Sequence, residues 1–137
     1  MPTITRRLEF DAAHRVMKHE SKCRNLHGHR YAVEITVTSE DLDPLGRVID
    51  FSVLKSRIGE WVDEKLDHGS ILNRKDKDLI EFCEDNDWKV FVLWDNPTAE
   101  NIASLIMEQS ESLLSGTGID VEKIRVYETP NCWADCT

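Results

Sequence analysis

Two long stretches with a period of two set the strongest limit on the fold. From Thr3 to His14, Leu8, Phe10, Ala12 and His14 fall on one face, with Arg7, Glu9 and Asp11 opposite. From His29 to Thr38, Tyr31, Val33, Ile35 and Val37 face one way, and Arg30, Glu34 and Thr36 the other. Alternation of this length marks half-buried strands. One polar connection, from Arg15 to about Asn25, joins them. The expectation is an antiparallel pair whose connection is longer than a tight turn.

Downstream, Pro44 and Gly46 mark a turn. An amphipathic helix is expected from about Ser52 to Leu66, where Leu54, Ile58, Trp61, Val62 and Leu66 form an apolar stripe. Asp50 or Ser52 would cap its start, and Gly69 would take the left-handed stop. Residues 70 to 87 are rich in charge and read as a solvated excursion with one short helix near Asp76 to Cys83. Lys89 to Trp94 is a compact apolar strand. Asn96 reads as a helix cap with Pro97 at the first helical position, and the helix that follows runs to about Leu114, ended by Gly116 and Gly118. A last strand, about Lys123 to Thr129, sets Ile124, Val126 and Glu128 on one face. These elements predict an α+β fold over residues 1–137 as one domain: a four-stranded antiparallel sheet with two helices packed on one face. So small a sheet leaves exposed edges, which pairing with further subunits would relieve.

Charge narrows the partners. Seventeen basic against 26 acidic side chains leave a net charge of -9, which repels a phosphate backbone and argues against nucleic acid. A local pocket of cations or metal can still hold a small anion. No apolar run approaches the roughly 18 residues of a membrane span, and the first residues lack the apolar core of a signal peptide. The cytoplasm is the expected compartment. There, Cys23, Cys83, Cys132 and Cys136 default to free thiols. The Cys132–Cys136 spacing is looser than the tight pairs of zinc sites, so two ordinary thiols are expected rather than a second metal centre.

His27-Gly28-His29 places two imidazoles two residues apart, on the same face if the segment is strand. His14 ends the first strand, where an antiparallel neighbour would bring it beside them. Three neutral imidazoles with an open fourth position suit a catalytic zinc. Cys23 has two readings: a fourth ligand that closes the site, or a free thiol acting as base or nucleophile. Asp67-His68 lies at a helix end and is either a polar cap or a charged imidazole pair. Glu128 points inward by its alternation; it must find partners, such as the paired N–H donors of an aminopyrimidine ring, or reach solvent. His19 reads as surface.

Taken in order, Phe10-x-Ala12-x-His14, Cys23-Arg24-Asn25-Leu26-His27-Gly28-His29, Asp67-His68, Asn96-Pro97-Thr98-Ala99-Glu100-Asn101 and Glu128-Thr129 resemble the 6-pyruvoyltetrahydropterin synthase family. The three residues between Cys23 and His27 match its 6-carboxytetrahydropterin synthase branch, which serves queuosine biosynthesis. The resemblance implies the tunnelling fold (T-fold), assembled as trimers or dimers of trimers with active sites at subunit interfaces. It implies Zn2+ on His14, His27 and His29, catalysis by Cys23, Asp67 and His68, and pterin binding by Glu128 with Thr98 and Glu100. The implied reaction converts 7,8-dihydroneopterin triphosphate to 6-carboxy-5,6,7,8-tetrahydropterin, acetaldehyde and triphosphate. Arg15, Lys18, Lys22 and Arg24 are candidates to receive the triphosphate. Two rivals stand beside this reading: the pyruvoyl-forming reaction on the same substrate, and a zinc-stabilised binding module without turnover, in which Cys23 would be the fourth ligand.

Overall fold

In the computed structural model, which describes residues 1–137, the two alternating stretches become β1 (Thr3–His14) and β2 (His27–Ser39). They pair antiparallel along their length, with Phe10 opposite Tyr31, Ala12 opposite His29 and His14 opposite His27. A helix follows in three contiguous parts: α1 (Phe51–Leu54), a π-helical turn (Lys55–Gly59) and α2 (Glu60–Lys65). Asp50 caps it by accepting from the Ser52 N–H. The buried stripe Leu54, Ile58, Val62, Leu66 repeats every four residues, which overshoots a turn of 3.6 residues. The wider π turn brings the stripe back into line. Then come β3 (Gly69–Asn73), α3 (Lys77–Asp85), β4 (Val90–Leu93), α4 (Ala99–Leu113), β5 (Ile119–Thr129) and β6 (Cys132–Cys136).

The sheet has six strands in the order β4-β3-β1-β2-β5-β6. The α+β class holds, but the expected four-stranded, wholly antiparallel sheet does not. Strand β3 pairs parallel with β1 and with β4, while β1, β2, β5 and β6 form an antiparallel run. The excursion expected at 70 to 87 therefore contains a strand. Ile71 and Leu72, which point to opposite faces, are both fully buried, so β3 lacks the alternation that betrays a half-exposed strand.

One contiguous core of 22 residues joins Phe10, Tyr31, Val33, Ile35, Val37, Ile124 and Val126 of the sheet to the helical stripe and to Ile102, Leu105 and Ile106 of α4. Each such fully buried side chain contributes about 1.5–3 kcal/mol of transfer free energy. The opposite face carries a ladder of ion pairs, with Arg7 on Glu34 at 3.2 Å and Arg30 on Asp11 and Glu9 at 3.0 and 3.2 Å. Strand β3 covers β1 only at Ala12–His14 and Asp11 is bonded by Asp67 and His68, so the β1 edge before Asp11 has no strand partner within the chain. No helix is long and apolar enough to cross a membrane.

Two local expectations are corrected. Thr98, not Asn96, caps α4: its side chain accepts from the Asn101 N–H. After α2, His68 takes the left-handed conformation, at φ 60°, in place of Gly69. Gly69 has a different constraint, since a Cβ there would lie 2.9 Å from Lys89 Cδ.

Candidate metal and substrate site

The register of β1 and β2 brings His14, His27 and His29 together on the core face. One ring nitrogen of each lies within 4.8 Å of one of the others. His14 and His27 are held by backbone carbonyls. His14 Nδ1 lies 2.7 Å from the Pro97 carbonyl oxygen and His27 Nδ1 2.6 Å from that of Asn25. A carbonyl can only accept, so both Nδ1 atoms carry the proton, which leaves Nε2 as the ring nitrogen that can act as a ligand. His14 is 1% exposed, and its Nε2 has no hydrogen-bond partner. Burial, then the neighbouring His27 and His29, outweigh the Pro97 hydrogen bond and lower the His14 pKa to about 4. Burial also lowers that of His29, against the pull of Glu128. Three convergent imidazoles, two of them oriented by backbone carbonyls, and an orphaned buried ring nitrogen on His14 fit a divalent metal such as zinc.

Glu128 does point inward. Its Oε1 lies 3.7 Å from His14 Nε2, with its side chain 29% exposed. It is not within mutual reach of all three histidines, which form the cluster by themselves. Beneath the triad, Tyr31 is fully buried with its hydroxyl unpaired; burial, then the Glu128 charge, push the phenol well above its ordinary pKa. Alternation marks Tyr31 as core, and nothing in the sequence signals its place against the His14 and His29 rings.

Cys23 sits half-buried in a 3-10 turn, Lys22–Arg24, and is a free thiol outside the histidine cluster. Of its two readings, the geometry disfavours the fourth ligand. Asp67 and His68 are also outside the triad, in a group with Asp11. His68 Nδ1 lies 2.8 Å from Asp67 Oδ2, Asp67 Oδ1 accepts from the Asp11 N–H at 3.0 Å, and the Asp11 carbonyl accepts from the His68 N–H at 2.7 Å. Burial disfavours the Asp67 charge, but the Asp11 N–H, His68 and Lys89 outweigh it and hold the carboxyl below its ordinary range. This clamp joins residues 56 apart and is invisible to local patterning. His68 and His29 line one open cavity of about 670 Å³, with Gly28, Asp11, Trp88 and Lys89. A cavity of similar size, about 700 Å³, lies between β1 and the first helix and contains none of these histidines.

Thr98 adjoins Pro97 and so stands beside the triad, whereas Glu100 is exposed in the first turn of α4. Among the cations proposed for a triphosphate, Arg15 is already engaged, donating twice to the buried Asp76 at 2.6 and 2.8 Å. Lys18 and Arg24 flank a cavity of about 310 Å³ with Arg15 and Asn25; Lys22 does not line it.

Comparison with known proteins identifies the family and the fold. A model of the family described as 6-pyruvoyl tetrahydropterin synthase matches residues 3–137. A Rickettsia felis protein named 6-carboxy-5,6,7,8-tetrahydropterin synthase is 44% identical, covering 98% of this chain and 99% of its own. The structure of an uncharacterized Wolinella succinogenes protein superposes with a TM-score of 0.85 at 26% identity, over 98% of this chain and 97% of that one. The Caenorhabditis elegans 6-pyruvoyl tetrahydropterin synthase gives 0.69 at 28% identity, over 99% and 96%. These full-length matches agree with the tunnelling fold, and the chain belongs to the 6-pyruvoyl tetrahydropterin synthase family.

Proposed function

We propose that the chain is a zinc-dependent 6-carboxytetrahydropterin synthase, a lyase of the queuosine pathway. It converts 7,8-dihydroneopterin triphosphate to 6-carboxy-5,6,7,8-tetrahydropterin with release of acetaldehyde and triphosphate. The observation that carries the reading is the orphaned, buried His14 Nε2 facing His27 and His29, in a chain so similar to a protein of that name.

His14, His27 and His29 would hold the zinc. When bound, the metal supplies Lewis acidity at the hydroxyls of the substrate side chain. Cys23, free of the ligand cluster, takes a proton from the substrate as general base. His68 supplies one from Nε2, its Nδ1 held by Asp67 and its backbone by Asp11. Glu128 accepts the N–H donors of the pterin ring, with Thr98 and Glu100 assisting at the start of α4. Lys18 and Arg24 attract the triphosphate. The partnerless β1 edge supports a homo-oligomer, trimer or dimer of trimers, that completes the sites between subunits in the cytoplasm.

Incubation of the zinc-quantified protein with 7,8-dihydroneopterin triphosphate, with products read by mass spectrometry, tests this. Acetaldehyde and 6-carboxytetrahydropterin, both lost on chelation and in Cys23→Ala, are the expected result. A pyruvoyl product without acetaldehyde would assign the other branch. No turnover with zinc bound would leave the binding module.

A further inference from the structure

Asn96 opens the Asn-Pro-Thr segment, and it does not cap α4. Its carboxamide faces the connection that carries Cys23. Asn96 Oδ1 accepts from the Met17 N–H at 2.9 Å and Nδ2 donates to the Met17 carbonyl at 3.1 Å. The side chain thus satisfies both backbone groups of one residue, as a neighbouring strand would. Asn96 Oδ1 also accepts from Asn73 Nδ2 at 3.0 Å, and Asn73 is 5% exposed and itself fixed by the Lys75 N–H. The Asn96 carbonyl accepts from Asn101 Nδ2 at 2.9 Å and from the Thr98 N–H at 2.8 Å. Beside Met17, the Val16 N–H donates to the Cys23 carbonyl at 2.9 Å. On the other side, the next residue is Pro97, whose carbonyl orients His14.

We propose that Asn96 is a positioning residue that seats the Cys23 connection and aims His14 from one point. Only a carboxamide offers a donor and an acceptor at this spacing. An aspartate of the same shape sets a second oxygen against the Met17 carbonyl and leaves that carbonyl without its donor. Through Val16 the release reaches Cys23; through the shared backbone of 96–97 it reaches His14. The catalytic consequence rests on the reading of Cys23 as the reactive thiol, but the positional claim does not.

The test compares Asn96→Asp and the milder Asn96→Ser with wild type. Iodoacetamide alkylation of Cys23 is read by peptide mass spectrometry in the zinc-free protein, with the exposed Cys132 as internal standard. Zinc affinity is read by competition with a chelator. The Cys23 to Cys132 rate ratio should rise and zinc affinity fall, each about tenfold, the scale of one net hydrogen bond. In turnover, kcat should fall at least tenfold with KM changed less than threefold. Ratio and affinity both within twofold of wild type in a folded variant would overturn the proposal. Amide exchange in the wild-type protein asks the same without mutation: a protected Met17 N–H is expected, and exchange at the free-peptide rate would overturn it. Wild-type turnover in Cys23→Ala would remove the thiol role alone, with the alkylation ratio still judging Asn96.

Discussion

The Arg15–Asp76 pair anchors the start of the connection that carries Cys23, and its two members are buried unequally. Asp76 is 4% exposed in its side chain and Arg15 34%, and the guanidinium donates twice, at 2.6 and 2.8 Å. Removing one partner of a fully buried pair costs about 3–5 kcal/mol, because the other charge is stranded. Asp76→Asn strands an arginine that water still reaches, and it keeps one acceptor, so the cost should be lower, about 2 kcal/mol. Arg15→Met strands the buried carboxylate, and about 3 kcal/mol is expected. For a chain of this size these values lower Tm by roughly 6–9 °C. Urea unfolding of both single mutants and the double mutant, followed by circular dichroism, gives a coupling energy. It should be about 2 kcal/mol and should survive 1 M salt, since a buried pair is poorly screened. A coupling below about 0.5 kcal/mol, or one that salt erases, would mean that the pair behaves as a surface ion pair and does not anchor the connection.

Three further outcomes follow from named contacts. Thr98→Ala removes the α4 cap and should cost about 1 kcal/mol in chemical denaturation; an unchanged midpoint would show that the hydroxyl does not cap. Asp67 titrates below its ordinary 3.8 when folded, so the folded chain binds that proton less readily than the unfolded chain. Its contribution to stability is present at neutral pH and lost as the pH falls through that lowered value; Asp67→Asn should flatten the acid limb of stability against pH, and an equally steep limb would contradict the clamp. Gly69→Ala forces a Cβ to 2.9 Å from Lys89 Cδ and 3.3 Å from the Leu66 carbonyl. Because Lys89 Nζ donates to the Asp63 and Asp67 carbonyls at 3.1 and 2.6 Å, the shift should cost about 1–2 kcal/mol, read as a lower Tm, and wild-type stability would show that Lys89 yields freely.

The clustering of the three histidines was legible because it depends on alternation alone. Once β1 and β2 are strands paired antiparallel, His14 on one and His27 and His29 on the other share a face. The helix from Asp50 and the inward Glu128 followed from periodicity in the same way. What escaped depends on contacts far apart in sequence. Ile71 and Leu72 are covered on both faces, so β3 has no period-two signal, and the charged residues around it suggest solvent. Strand β6 is five residues long and alternates too briefly to stand out after the Pro130-Asn131 turn. His68 accepts a left-handed backbone where glycine is the better local choice, because Asp11 holds both it and Asp67. Asn96 looked like a cap by type and position, but its side chain is engaged by Met17, 79 residues away, and Thr98 takes over the cap.

The measurement that bears most directly on the three-histidine centre is zinc content per chain, by elemental mass spectrometry, for wild type and for His29→Ala after dialysis against trace chelator. One zinc per wild-type chain, lost in the variant while its circular dichroism spectrum is kept, is the predicted result. Equal zinc in both, or none in wild type supplied with the metal, would contradict the account.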